Sequence, residues 1–459
     1  MKPIILAAQY FIILLWSSPA YTQSVTLRDK IGQMLMVGFQ GYEVPAGIAA
    51  DLTQRNLGGV ILMGRNLADP FQILDLTTNL KQHATLPLLI ATDQEGGRVA
   101  RLNASNGFGD SYSHYQLGTT FANELQTRQT AGTMAHWLAG VGINLNLAPV
   151  ADVNVNPLSP AIGRLDRSFS NDPEKVYQHA AWFIDEFHQQ NIITTLKHFP
   201  GHGSAKDDSH NGFTDITTTW GEEELLPYKK LMEDEAVDLI MIGHLFNAEF
   251  DSLYPASLSY NTITGLLREQ MGYQGVVVSD DLFNMRAITD NYGFDEAVVL
   301  AINAGMDILL YVWNEIEGQP LVSHIIDLVE QRVNTGAIAA SRIDESYQRI
   351  FELKQKWFNV TAVDTRIASS HPPVRFELRA YPNPFKTTTQ ILLHASEITP
   401  VSVKIYDLTG KEIASLAEGE NLTRDMSLQF NAAALAPGVY FVRAQSREQI
   451  VTRKITLIR

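Results

Sequence analysis

The chain contains no cysteine, which excludes disulfides, thiolate zinc sites, a cysteine nucleophile and a lipidated N-terminal cysteine. Positive charge is scarce: the formal net charge is -15. A general nucleic-acid role is thereby excluded, because phosphate binding needs a basic surface. Long apolar runs are missing beyond the first residues, so no later segment reads as a membrane span. No Gly-rich phosphate loop follows an early strand-like run, which counts against a doubly wound nucleotide-binding sheet.

What is present describes a globular protein, with 45% hydrophobic and 19% charged residues in a length of 459. That length exceeds one ordinary domain and suits a large barrel with an appendage. Lys2 precedes an apolar run from Pro3 to Trp16, and Ser17, Ser18, Pro19 and Ala20 form a small-residue exit. This layout predicts a secretory signal peptide over residues 1–23. The run falls short of the ~20 residues that cross a bilayer. The mature chain is expected to be soluble, without a transmembrane segment.

Over residues 24–358, strand-like apolar runs alternate with amphipathic stretches. Eight runs read as strands: Met34–Phe39, Gly59–Met63, Leu88–Thr92, Asn144–Pro149, Ile193–His198, Leu239–His244, Val276–Asp280 and Asp307–Tyr311. Helical periodicity predicts Gln72–His83, Ser113–Gly140, Pro173–Gln190 and Glu222–Glu235 between them. The expected fold class is α/β, a (β/α)8 TIM-like barrel followed by a small all-β sandwich. Asp93, Asp152, Lys197 with His198, His244 and Asp280 all fall at or just after strand ends. In a barrel those ends open onto one face, where active sites form. Residues 359–374 read as a linker. Residues 375–459, with alternation in Val401–Tyr406, Gly438–Arg443 and Thr452–Leu457, read as the sandwich.

The densest polar motif is Lys197-His-Phe-Pro-Gly-His-Gly-Ser-Ala-Lys-Asp-Asp-Ser-His210. An extended chain directs residues i and i+2 to one side, so Asp208 can orient His210 as a proton donor and acceptor. His198, His202, Asp208 and His210 also suit zinc. Pro200-Gly201 keeps His198 and His202 off a single helix, however, so the metalloprotease arrangement is excluded. A metal-dependent hydrolase stays the less favoured reading; no metal or cofactor is expected. In Ser279-Asp-Asp-Leu282, strand alternation sends Asp280 and Asp281 to opposite faces. Asp281 then suits a helix cap while Asp280 faces a ligand. Asp93, in Thr92-Asp-Gln-Glu-Gly-Gly-Arg98, can accept bonds from vicinal hydroxyls, and Arg167 adds a cation.

These motifs, in this order, closely resemble glycoside hydrolase family 3, and within it the bacterial β-N-acetylglucosaminidases. The resemblance covers about residues 27–358. It implies a retaining hydrolase that releases terminal β-linked N-acetylhexosamine, with Asp280 as nucleophile and His210, oriented by Asp208, as acid/base. It further implies that Asp93, Arg101, Arg167, Lys197, His198 and His244 hold the sugar. Family members of the β-glucosidase type, the alternative, take their acid/base from a second α/β domain, which this β-rich tail cannot be. Tyr381-Pro-Asn-Pro-Phe385, Ile405-Tyr-Asp-Leu-Thr-Gly-Lys411 and Pro437-Gly-Val-Tyr-Phe441 resemble the sorting domain of the type nine secretion system. That implies export to the cell surface or medium by outer-membrane secretion machinery, and a carbohydrate partner outside the cell.

Overall fold

The computed structural model describes residues 25–358 except 317, and residues 376–458 except 396–398, 408–410, 423–424 and 447–449. The expected signal peptide and linker lie outside the described residues. All eight predicted barrel strands form: β1 Leu35–Val37, β2 Gly59–Ile61, β3 Leu89–Thr92, β4 Leu145–Asn146, β5 Ile193–Phe199, β6 Leu239–Ile242, β7 Val276–Ser279 and β8 Leu309–Tyr311. They pair in parallel in chain order, with β8 returning to β1. Every strand residue is buried, as a parallel sheet sheathed by helices requires.

The seam between β7 and β8 closes the barrel. It holds one bridge, Val278 to Ile308, with the Ser279 and Ile308 backbone bonds beside it. Side chains complete the ladder where the strands diverge. Asp307 Oδ2 accepts Val277 N–H (3.0 Å), Ser279 Oγ accepts Leu310 N–H (2.9 Å), and Asp281 Oδ1 accepts Val312 N–H (3.4 Å). The tertiary demand for closure therefore makes polar residues part of an apolar wall.

Helix boundaries follow local chemistry. The stretch expected as one helix from Ser113 to Gly140 is two: a wide-turn helix Gln116–Phe121 and an α-helix Glu124–Gly140. Ala122 takes a left-handed φ of 50°, and the Asn123 side chain caps Gln126 N–H, restarting the helix. A carboxylate caps the helix Pro70–His83 through Asp69 and the helix Pro173–His188 through Asp172, each with proline in its first turn. The stretch at Glu222 starts as a tight turn, Glu222–Leu225, and becomes α-helical at Leu226–Glu233, with Pro227 in its first turn.

The last barrel helix, Ala340–Phe358, is bound to the bottom of the barrel by buried polar groups. Asp307 takes Arg342 (2.7 Å), Arg349 (3.1 Å) and Arg268 (2.6 Å). Lys354, fully buried, donates to Gln33 Oε1 (2.7 Å) and Gly58 O (3.0 Å). Beyond the barrel, seven strands among the described residues form two antiparallel sheets. They are β9 Phe376–Tyr381, β10 Thr388–Ala395, β11 Thr399–Tyr406, β12 Glu412–Leu422, β13 Asp425–Asn431, β14 Gly438–Gln445 and β15 Ile450–Leu457. One sheet runs β9-β10-β13, the other β12-β11-β14-β15. Alternate residues Val401, Val403, Ile405, Val442 and Ala444 enter one core with Leu378, Ile391 and Leu393, the period of two that a half-buried strand dictates.

Burial without a countercharge pushes the Lys354 ammonium down from 10.5 to about 7. Between those pH values the unfolded chain binds a proton that the folded chain does not, so stability rises with pH from 7 towards 10. We expect the urea midpoint to climb across this range in the wild type and to lose most of that slope in Lys354→Met.

Candidate active site

The site is built at the C-terminal strand ends, beginning with Gln94 after β3. Its backbone exchanges two bonds with the Asn146 amide (2.9 and 3.0 Å), and its side chain exchanges two with Leu102 (3.0 and 2.9 Å). With Gln94 fixed inward to the protein, its neighbours Asp93 and Glu95 project together to the other side. Gly96, at φ 103°, lies where a Cβ would sit 2.2 Å from Tyr112 O, so only glycine permits this turn.

Lys197, at the end of β5, meets both carboxylates, 2.9 Å from Asp93 Oδ1 and 2.7 Å from Glu95 Oε1. Arg101 binds Asp93 Oδ2 (3.0 Å), and Arg167 grips Glu95 through two bonds (2.9 and 2.8 Å). Three cations thus surround two carboxylates in a largely buried cluster. Burial alone would raise the carboxyl pKa values, but Lys197 and Arg101 hold Asp93 below its ordinary value, and Arg167 and Lys197 hold Glu95 well below. Removing either carboxylate from such a cluster strands buried positive charge, at a cost of about 3–5 kcal/mol. Glu95 was not among the residues singled out from the sequence. Its i+2 spacing from Asp93 in an extended segment is the signal that could have found it.

Asp152, buried after β4, anchors the next residues. It accepts His198 N–H (3.0 Å) and His202 N–H (2.8 Å) on Oδ1, and His198 Nδ1–H (2.7 Å) on Oδ2. The other ring nitrogen of His198, Nε2, lies 3.3 Å from Arg167 Nη2. Asp93, Arg101, Arg167, Lys197 and His198 therefore share one contiguous network.

Asp280 leaves β7 with Oδ1 accepting Asp281 N–H (2.8 Å). Burial would raise its pKa, but the fields of His198, His244 and His210, with the Asp281 N–H, bring it down to about 2. Asp281 turns away and accepts Phe283 N–H (3.2 Å) and Asn284 Nδ2–H (2.8 Å), the division of labour that alternation predicts. His244 has both ring nitrogens engaged by protein, Nδ1 by Ser257 Oγ (2.7 Å) and Nε2 by Asp281 O (3.1 Å). It braces the backbone that carries Asp280.

Asp208 and His210 do pair, through a tight turn instead of an extended segment. Asp208 Oδ1 accepts both His210 N–H (3.0 Å) and His210 Nδ1–H (2.8 Å), while Asn211 N–H reaches Asp208 O (2.9 Å). The local side-chain competition typical of aspartate favours this turn. Nε2 is left facing outward. The His210 pKa is raised, first by the Asp208 bond, against the lowering effect of burial, and then by the charge on Asp280. The Asp208 carboxyl falls to about 2, chiefly through the same bond. Among the described residues no three His, Asp or Glu side chains converge as a metal-binding group. His198 is committed to Asp152 and His210 to Asp208.

The sequence profile described as "Glycosyl hydrolase family 3 N terminal domain" matches residues 26–353, and "Secretion system C-terminal sorting domain" matches residues 379–458. A beta-hexosaminidase of Tolumonas auensis is 39% identical over 285 residues, 60% of this chain and 81% of that protein. Beta-hexosaminidase A of Pseudoalteromonas piscicida is 30% identical over 372 residues, 72% of this chain; the chain spans 61% of that relative's length. The solved family 3 beta-N-acetylglucosaminidase of Paenibacillus superposes with a TM-score of 0.68 at 32% identity, covering 79% of this chain and 72% of that one.

A histidine resonance assigned to His210 should titrate above its ordinary 6.5 in the wild type. In Asp208→Asn, which removes the largest raising contact, NMR should place it lower. An unchanged titration would remove Asp208 as the group that tunes His210.

Proposed function

Because the chain belongs to the family 3 glycosyl hydrolases, we propose that it removes terminal non-reducing β-linked N-acetylhexosamine in two displacements at Asp280. The observation that carries this reading is that Asp280 and His210, near enough for each to feel the other's charge, are oppositely tuned. Asp280 is held ionised, and the proton affinity of His210 is raised above its ordinary value. Retaining glycoside cleavage needs a nucleophile on one side of the anomeric carbon and a proton donor on the other.

In the first step Asp280 attacks the anomeric carbon as the glycosidic bond breaks, and His210 Nε2–H protonates the departing oxygen. In the second, His210 takes a proton from water, which attacks the same carbon and releases Asp280. Asp208 serves both steps by fixing the imidazole and offsetting the charge that it gains and loses. The Asp281 N–H holds Asp280 Oδ1, leaving Oδ2 for attack. Asp93, Arg101, Arg167, Lys197 and His198 supply donors and acceptors suited to sugar hydroxyls and an N-acetyl group. His244 acts from behind, through the Asp281 carbonyl.

The relatives named beta-hexosaminidase and the beta-N-acetylglucosaminidase neighbour support N-acetylhexosamine over glucose. Among the described residues no helix is long and apolar enough to cross a membrane. The sorting-domain match supports export to the cell surface or medium. We assign that export to the type nine machinery, with chitin oligomers, glycans or shed peptidoglycan as substrates.

A panel of aryl β-glycosides tests the reading. Wild type should turn over the N-acetylglucosaminide, Asp280→Ala should be inactive, and His210→Ala should lose about 10²–10⁴-fold. Full activity in Asp280→Ala would end the nucleophile assignment, and preference for the glucoside would end the substrate assignment.

A further inference from the structure

The His210 dyad stands on a segment with little else to hold it. Of residues 206–212, only Ser209 is buried; it is 2% exposed, although the Asp208 and His210 side chains beside it are 19% and 59% exposed. The intervening residue is thus the plug and its neighbours are the working groups. Ser209 Oγ lies 3.3 Å from His202 Nε2, and Ser209 O accepts Ala287 N–H (3.2 Å) from the segment just after β7.

The backbone at His202 is held from three directions. Its N–H is taken by the Asp152 oxygen that also takes His198 N–H. The next residue, Gly203, donates to Glu224 Oε2 (3.0 Å), a fully buried carboxyl. A Cβ on Gly203 would sit 1.7 Å from Val153 O, so the backbone is pressed against the loop after β4. Burial lowers the His202 pKa to about 4, so the ring is a neutral hydrogen-bonding partner near neutral pH.

We propose that Ser209 and His202 are positioning residues for the acid/base, a side-chain latch that seats the Asp208–His210 dyad across from Asp280. This rests on His210 being the acid/base, as assigned above. The latch transmits position from the rigid sugar-holding network to the exposed dyad: Asp152 fixes His198 and His202, His202 fixes Ser209, and Ser209 lies between Asp208 and His210. Without the hydroxyl, the Asp208–His210 pair stays intact, but its placement relies on the backbone bonds to Arg286 (3.4 Å) and Ala287.

A misplaced proton donor harms reactions in proportion to their need for a proton. The test compares chitobiose, whose leaving alkoxide requires protonation, with 2,4-dinitrophenyl β-N-acetylglucosaminide, whose leaving group does not. For Ser209→Ala we expect kcat/KM on chitobiose, which reports the steps up to glycosyl-enzyme formation, to fall about 10–100-fold, part of the full general-acid contribution. On the dinitrophenyl substrate the fall in kcat/KM should stay within about 3-fold. His202→Ala should match it, His202→Gln should restore part of the loss, and the double variant Ser209→Ala/His202→Ala should be no worse than either single one. Equal losses on both substrates, no loss on chitobiose, or additive losses in the double variant would each overturn the latch. His210→Ala, run alongside, separates the two readings: if it shows no leaving-group dependence, the acid/base assignment has failed before the latch is tested.

Discussion

Closure of the sheet between β7 and β8 is the constraint on which the rest of the structure depends. Eight parallel strands present their C-terminal ends to one face only if the last pair meets, and this pair meets through one bridge and three side chains. Asp307 stitches the bottom and simultaneously gathers three arginines from the outer helices. Asp281 stitches the top and, by alternation, leaves Asp280 facing the mouth. The same polar seam therefore closes the barrel and orients the residue assigned the nucleophilic role.

Two electrostatic regimes coexist at that mouth. The buried cluster of Asp93, Glu95, Arg101, Arg167 and Lys197 is mutually neutralised, apart from one surplus cation, and each charge is held by a direct partner. Low dielectric makes such a network stiff, since losing either carboxylate leaves buried cations uncompensated. The Asp208–His210 pair is local, with its aspartate half-buried and its histidine exposed, and its energetic worth is small. Its value lies in proton affinity and placement.

Much of this was legible from residues alone. Eight strands, the strand-end polar positions and the tail's alternation follow from periodicities of 3.6 and 2, and the structure has all eight barrel strands where the apolar runs fall. The pairing of Asp208 with His210 was also legible, although its geometry was not: an extended segment and a tight turn both bring i and i+2 together, and only the chain path chooses. The break at Ala122 escaped the periodic pattern because a single left-handed residue leaves the apolar spacing on either side intact.

The sequence by itself determined the fold class, the eight strands and the types of group available for chemistry, because these depend on short-range patterning and side-chain identity. Only the tertiary structure decided what each group is bound to. Glu95 became a partner of Lys197 and Arg167, residues 102 and 72 positions away in the chain. Asp152 became the common anchor of His198 and His202, and His244 was bound to Ser257 and the Asp281 carbonyl. The physical reason is that burial obliges most buried polar groups to find a partner, and which partner is near is set by barrel closure, about which local patterning is silent.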